Sequence, residues 1–173
     1  MPPLQPIHLA IGALILLALL AQLLKEREPA FPYDPAEALL TAAERAFYEV
    51  LIDAIGDDFD ILCKVRLADV IVVRPGLSQR FRMRAFNRIS AKHLDFVICD
   101  PESYVVIGVI ELDDRSHLRE DRRERDEFID GALEAAGISI LHMPAQRRYS
   151  ALKLRDQVLD SLEQAGPTIA DRH

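Results

Sequence analysis

The chain has 173 residues, half of them hydrophobic and 28% charged, with 7 glycines and 10 prolines. That mixture excludes collagen-like, low-complexity and largely disordered chains, and it carries too much charge for a polytopic membrane protein. The formal net charge of −7 excludes a globally basic nucleic-acid binder, so any such surface must be a local patch. Cys63 and Cys99 each sit in an apolar run and read as small core residues of a reducing compartment, not as a disulfide framework.

Ile7 to Leu24 reads IHLAIGALILLALLAQLL, without a charged residue. Eighteen helical residues reach about 27 Å, close to a hydrocarbon core of about 30 Å. A buried core helix fits poorly, because the segment is apolar on every face. A signal peptide lacks its basic leader, since Met1 to Pro6 has no Lys or Arg, and Ala18 and Ala21 have the wrong spacing for cleavage. The expectation is one N-terminal transmembrane helix (residues 7–24), anchored in the inner, cytoplasmic membrane. Lys25 and Arg27 on its C-terminal flank place the following domain in the cytoplasm. Residues 1–28 are then anchor and flank. Residues 29–35, with three prolines, are a semi-rigid linker. Residues 36–165 are the folded domain, and residues 166–173 a flexible tail.

Within the domain, Leu40 to Ile55 predicts a helix with a Thr41/Glu44 capping box and an apolar stripe of Leu40, Phe47, Leu51 and Ile55. Phe59 to Val65 predicts a strand, and Ala68 to Val73 a strand or short helix. Arg74 to Ser90 reads as a polar, basic loop broken at Pro75-Gly76. His93 to Cys99 is a strand stopped by Asp100-Pro101. Tyr104 to Leu112 (YVVIGVIEL) is a central strand buried on both faces. Leu118 to Ala136 is a helix with Phe128, Ile129, Leu133 and Ala136 inward, closed by Gly137. Ile138 to Met143 is a strand, and Ser150 to Gln164 the last helix. The order gives an α/β layer fold with a mixed sheet.

Glu111 and Asp113 end the most apolar strand and, two apart, point to one side. Two carboxylates crowded there repel each other and lose hydration, so a positive partner is required. Asp95, in the middle of HLDFVIC, should approach Glu111 from the neighbouring strand. Three such carboxylates make an oxygen cage for Mg²⁺ or Mn²⁺. The plainer alternative is acids facing solvent or paired with Arg115, Arg122 or Arg125. His117, four residues beyond Asp113, is either a general acid/base or a surface histidine at a helix entry. From Lys64 to Lys92 eight basic residues face one acid, Asp69. Lys64, Arg66, Arg82, Arg84, Arg88 and Lys92 are the candidates for neutralising phosphates. Attraction to anionic lipid is the competing reading.

The strings His93-Leu94-Asp95-Phe96-Val97 and Val109-Ile110-Glu111-Leu112-Asp113-Asp114, then His117, Arg125-Asp126 and Gly137-Ile138, resemble a bacterial family called domain of unknown function 2726. That family is similar to the very-short-patch-repair endonucleases and to the wider PD-(D/E)XK restriction-endonuclease-like superfamily. The resemblance covers about Leu40 to Tyr149. It implies a restriction-endonuclease-like fold: a helix, then a mixed sheet flanked by helices, with an acid on one strand and E-x-K on the next. Asp95 matches the first acid, Glu111 the second, and Glu44 the acid that the first helix often supplies. The chain departs at Asp113, where the superfamily usually has Lys. His117 fits the histidine variation of the repair endonucleases, while Lys64 or Lys92 is the alternative source of the missing amine.

The expectation from these features is a membrane-anchored, metal-dependent nuclease hydrolysing DNA phosphodiesters, with RNA open as a substrate. Its metal ligands are Asp95, Glu111 and Asp113, its cofactor Mg²⁺ or Mn²⁺, and its catalytic set Glu44, Asp95, Glu111, Asp113 and His117. The alternative is an inert module of the same fold that binds nucleic acid or protein at the membrane.

Overall fold

The structure is a computed structural model describing residues 6–24, 30–113 and 120–164. Its contacts divide the chain into two units, Met1–Glu37 and Ala38–His173. The first contains helix α1 (Pro6–Leu24). Among the described residues no helix is long and apolar enough to cross a membrane. This overturns the expected N-terminal transmembrane helix, and with it the single-pass placement in the cytoplasmic membrane. The flank at 25–28, the segment 114–119 with Arg115 and His117, the side chain of Arg122 and the tail at 166–173 lie outside the described residues.

The second unit begins with helix α2 (Ala42–Ile55), whose predicted capping box forms. The Glu44 backbone N–H donates to Thr41 Oγ1 (3.3 Å), and the Thr41 N–H donates to Glu44 Oε2 (2.8 Å). Strands β1 (Asp60–Arg66), β2 (His93–Cys99), β3 (Val106–Asp113) and β4 (Ser139–Pro144) make one sheet in the order β1-β2-β3-β4. The β1/β2 and β2/β3 pairs are antiparallel and β3/β4 is parallel. A parallel pair needs a long crossover, and helix α5 (Glu120–Ala136) lies within it. Gly137, at φ +74, turns the chain out of that helix, as only a residue without Cβ does cheaply.

Each face of the sheet buries its own core. On one side α2 and α6 (Ala151–Gln164) bring Phe47, Leu51, Ile55, Leu154 and Val158 onto Phe96, Ile98, Ile110 and Met143. On the other, α3 (Leu67–Val70), α4 (Gln79–Ser90) and α5 bring Leu67, Ile89, Ile129 and Leu133 onto Leu94, Val97 and Val109. The long β-branched run is an inner strand covered on both faces, as expected.

The basic stretch is a correction. Residues 79–90 are helix, where a loop was expected. Phe81, Ala85, Phe86 and Ile89 recur at helical spacing, but arginines are set among them and Ile89 is the only buried residue of α4, so the segment reads as polar and basic before it reads as periodic. Pro75-Gly76 breaks only the approach to it, and the Arg, Met, Ala and Gln that follow are good helix formers. The 68–73 run divides into the one-turn helix α3 and an extended segment.

Phe96 is fully buried and its ring meets Phe47 at 5.3 Å and Tyr48 at 6.1 Å. Phe96→Ala is expected to lower the unfolding free energy by about 3–5 kcal/mol. Thr41→Ala, which removes one cap, should cost about 1 kcal/mol. Urea denaturation measures both, and a Phe96 loss no larger than the cap loss would contradict this packing.

Candidate functional site

The sheet changes character where Lys64 and Asp95 face each other. Phe59, Ile61 and Cys63 pack toward α2 and α6, but Val65 packs on the opposite side. Phe96 and Ile98 likewise face α2, whereas Leu94 faces the other core. Strict alternation would put residues an even number apart on one face. The break falls at Lys64, which adopts φ +55, a left-handed conformation that residues with a side chain seldom take. Such a conformation costs on the order of 1–3 kcal/mol and is held only when its surroundings demand it.

Those surroundings are acidic. Lys64 Nζ donates to Glu44 Oε1 at 2.6 Å and to Asp95 Oδ1 at 2.8 Å. One ammonium thereby joins α2, β1 and β2. Glu44 is fixed at both oxygens, because its Oε2 is the acceptor of the capping box. Burial by itself would raise the Glu44 pKa, but the bonds from Lys64 and Thr41 outweigh it and hold the carboxyl below its usual value. For Lys64, burial pushes toward the neutral amine; the bonds to Asp95 and Glu44 prevail and hold it charged.

Glu111 enters from β3. The β2/β3 pairing runs as far as Phe96–Ile110. One step further, the two acids replace backbone acceptors. The Asp95 N–H donates to Glu111 Oε1 (3.3 Å), and the Leu112 N–H donates to Asp95 Oδ2 (3.1 Å). Desolvation first, and the Asp95 charge second, push Glu111 up to about 7. Glu44, Lys64, Asp95 and Glu111 therefore form one cluster, with a surplus of negative charge.

The other expected residues are placed differently. Asp113, half-exposed, is 3.3 Å from Nδ1 of His142, whose Nε2 is 3.0 Å from Asp130 of α5. Burial alone would lower the His142 pKa, but the two flanking carboxylates raise it. Among the described residues no group of three or more His, Cys, Asp or Glu is arranged to hold a metal ion. The expected three-carboxylate cage is thus reduced to the pair Asp95 and Glu111. Lys64, expected on a phosphate-binding surface, is inside the acid cluster. Arg66 forms a fork with Asp69 (2.6 and 3.1 Å). Arg82, Arg84 and Arg88 lie on α4, and Lys92 is two residues beyond its end.

Sequence reasoning missed His142 and Asp130. His142 stands opposite Glu111 in the β3/β4 register, and a histidine within the apolar run SILHMP was the available signal. Arg125, which pulls the Glu111 pKa back down, also donates to the His93 carbonyl (3.4 Å).

Because Glu111 holds its proton more tightly folded than unfolded, the stability it contributes is complete below about pH 4.5 and is lost as pH rises through about 7. At about 1.36 kcal/mol per pKa unit the loss is about 3 kcal/mol. Glu111→Gln, which stays neutral, should therefore exceed the parent in stability by about that much at pH 8 and match it at pH 4. Urea denaturation in chelator measures this, and a gap that does not vary with pH contradicts the assignment.

No curated protein and no solved structure matches the chain. Residues 36–162 match the sequence profile of a family described as a protein of unknown function, DUF2726. That match spans most of the chain and includes all four residues of the acid–lysine cluster, and the chain belongs to this family.

Proposed function

We propose that this chain is a metal-dependent phosphodiesterase acting on DNA, with Glu44, Lys64, Asp95 and Glu111 as its centre. The observation that carries the reading is Lys64. The resemblance to the PD-(D/E)XK superfamily asks for an amine beside two strand acids, and position 113 holds Asp instead. Lys64 brings that amine from β1, 2.8 Å from Asp95. The order helix, three antiparallel strands with α3 and α4 inserted after the first, helix, parallel strand, with acids on β2 and β3, supports the same reading.

The donor set suits a hard divalent ion. Lys64 gives Glu44 and Asp95 one positive charge between them, and Glu111 beside them is raised to about 7, by desolvation first and by the Asp95 charge second. Mg²⁺ is commonly held by one or two carboxylates, with water and substrate phosphate filling the remaining positions, and does not need an all-protein cage. Asp95 and Glu111 would hold it; the ion would supply Lewis acidity and a more acidic bound water. Lys64 has three N–H donors, two of them engaged by Glu44 and Asp95, and places its positive charge where a phosphate oxygen gains negative charge. Glu44 positions that ammonium and is itself locked by the Thr41 cap. Asp113, tied to His142 and Asp130, supports the strand end from outside this centre.

A second reading has its own observation. Both Asp95 oxygens already accept hydrogen bonds, from Lys64 and Leu112. A chain in which those bonds persist would bind nucleic acid without cutting it.

Cleavage of plasmid DNA by the purified chain separates the two. The parent should cut with Mg²⁺ or Mn²⁺ and stop in chelator. Asp95→Asn and Glu111→Gln should each lose at least about 10³-fold, and Lys64→Met about 10²–10³-fold. Cutting that survives both acid substitutions removes this centre from the reaction. DNA binding without cutting by the parent at any Mg²⁺ or Mn²⁺ concentration favours the second reading.

A further inference from the structure

Helix α4 carries large apolar side chains on an open surface. Phe81 is 60% exposed, Met83 52% and Phe86 43%, and only Ile89 is buried. Arginines are interleaved with them at 80, 82, 84 and 88, and no acid occurs between Asp69 and Asp95. Arg80, Arg84 and Arg88 recur every four residues, so they rise about 6 Å at each step along one flank of the helix. The cations are also in register with rings. The Arg84 guanidinium is 5.9 Å from the Phe81 centroid, and Arg88 and Lys92 lie 4.0 and 5.2 Å from the Phe128 ring of α5. This surface continues toward the acid cluster, since Lys92 precedes β2 and Arg125 binds the His93 carbonyl two residues before Asp95.

We propose that α4, with Phe128 beside it, is a platform for single-stranded DNA: unpaired bases stack on Phe81 and Phe86, and the arginines hold the phosphates. The identity of the polymer rests on the phosphodiesterase reading; its strandedness comes from α4. Cations alone would serve a duplex equally well, because a duplex presents phosphates and keeps its base faces stacked inside. Exposed rings gain only from bases whose faces are open. A lipid-binding helix keeps cations out of its apolar face, whereas α4 gathers Arg80, Arg84 and Arg88 on one flank and sets Arg82 inside its apolar arc. Phe81 and Phe86 stand about 140° apart around α4 with Arg82 between them.

The test is fluorescence anisotropy with the full chain in chelator, so that nothing is cut, using a 12-nucleotide oligodeoxynucleotide and its duplex at one salt concentration. The single strand should bind at least about tenfold more tightly than the duplex. Phe81→Ala/Phe86→Ala should remove that preference and leave duplex binding within about threefold. Arg80→Ala/Arg84→Ala should weaken both and flatten the salt dependence of single-strand binding by about 1.4 in log–log slope, two phosphates' worth. Both pairs are exposed, and an unchanged denaturation midpoint verifies that each variant is folded. Equal affinity for the two forms, or a phenylalanine variant with unchanged preference, overturns the proposal. So does loss of binding to phosphatidylglycerol vesicles in that variant while oligonucleotide binding is unaltered. A single-strand preference in a chain that cuts no DNA with Mg²⁺ or Mn²⁺ upholds the platform and removes only the hydrolysis.

Discussion

The ammonium of Lys64, held between Glu44 and Asp95, is the constraint on which the rest of the site depends. It joins the first helix to the two strands beneath it, and the left-handed turn at Lys64 gives it that reach. The same turn reverses the inward and outward alternation of β1, and β2 reverses opposite it. Without a cation at this point, three carboxylates would face one another in a region with little water, where like charges are costly.

Charge is divided within the sheet. Toward α2 lies the lysine-centred cluster, and beyond it the purely apolar core around Phe47 and Phe96. At the ends of β3 and β4 a second polar group, Asp113–His142–Asp130, ties the strands to α5. Glu111 feels both groups. Asp95 raises its pKa, and Arg125 and His142 lower it. Its proton affinity near neutrality is thus a property of three strands and a helix together, and a change in any of them is transmitted to it.

Much of the fold was legible because burial leaves a period in the sequence. The Thr41/Glu44 box marked the start of α2, Gly137 the end of α5, and the β-branched run the inner strand. Helix α4 was not legible in the same way: it buries one residue, and the arginines set among its apolar positions hide a stripe that little of the domain covers. The acids of the site were legible in part. Asp95 and Glu111 drew attention as carboxylates in apolar strands. Asp113 had the same spacing signal but turned to His142, because the strand end is open enough for it to choose another partner.

Composition and spacing by themselves determined an α/β domain, two strand acids that need a positive partner, and a basic segment in an acidic chain. Only tertiary structure decided which cation answers those acids. Lys64 is 31 positions before Asp95 and 47 before Glu111, and no local pattern links residues so far apart. Strand register brings them together, and a backbone conformation that the sequence around Lys64 does not announce turns the side chain inward. Folding likewise decided that the arginines and phenylalanines of 79–90 share one exposed helix, since that depends on how little of the segment the rest of the domain covers.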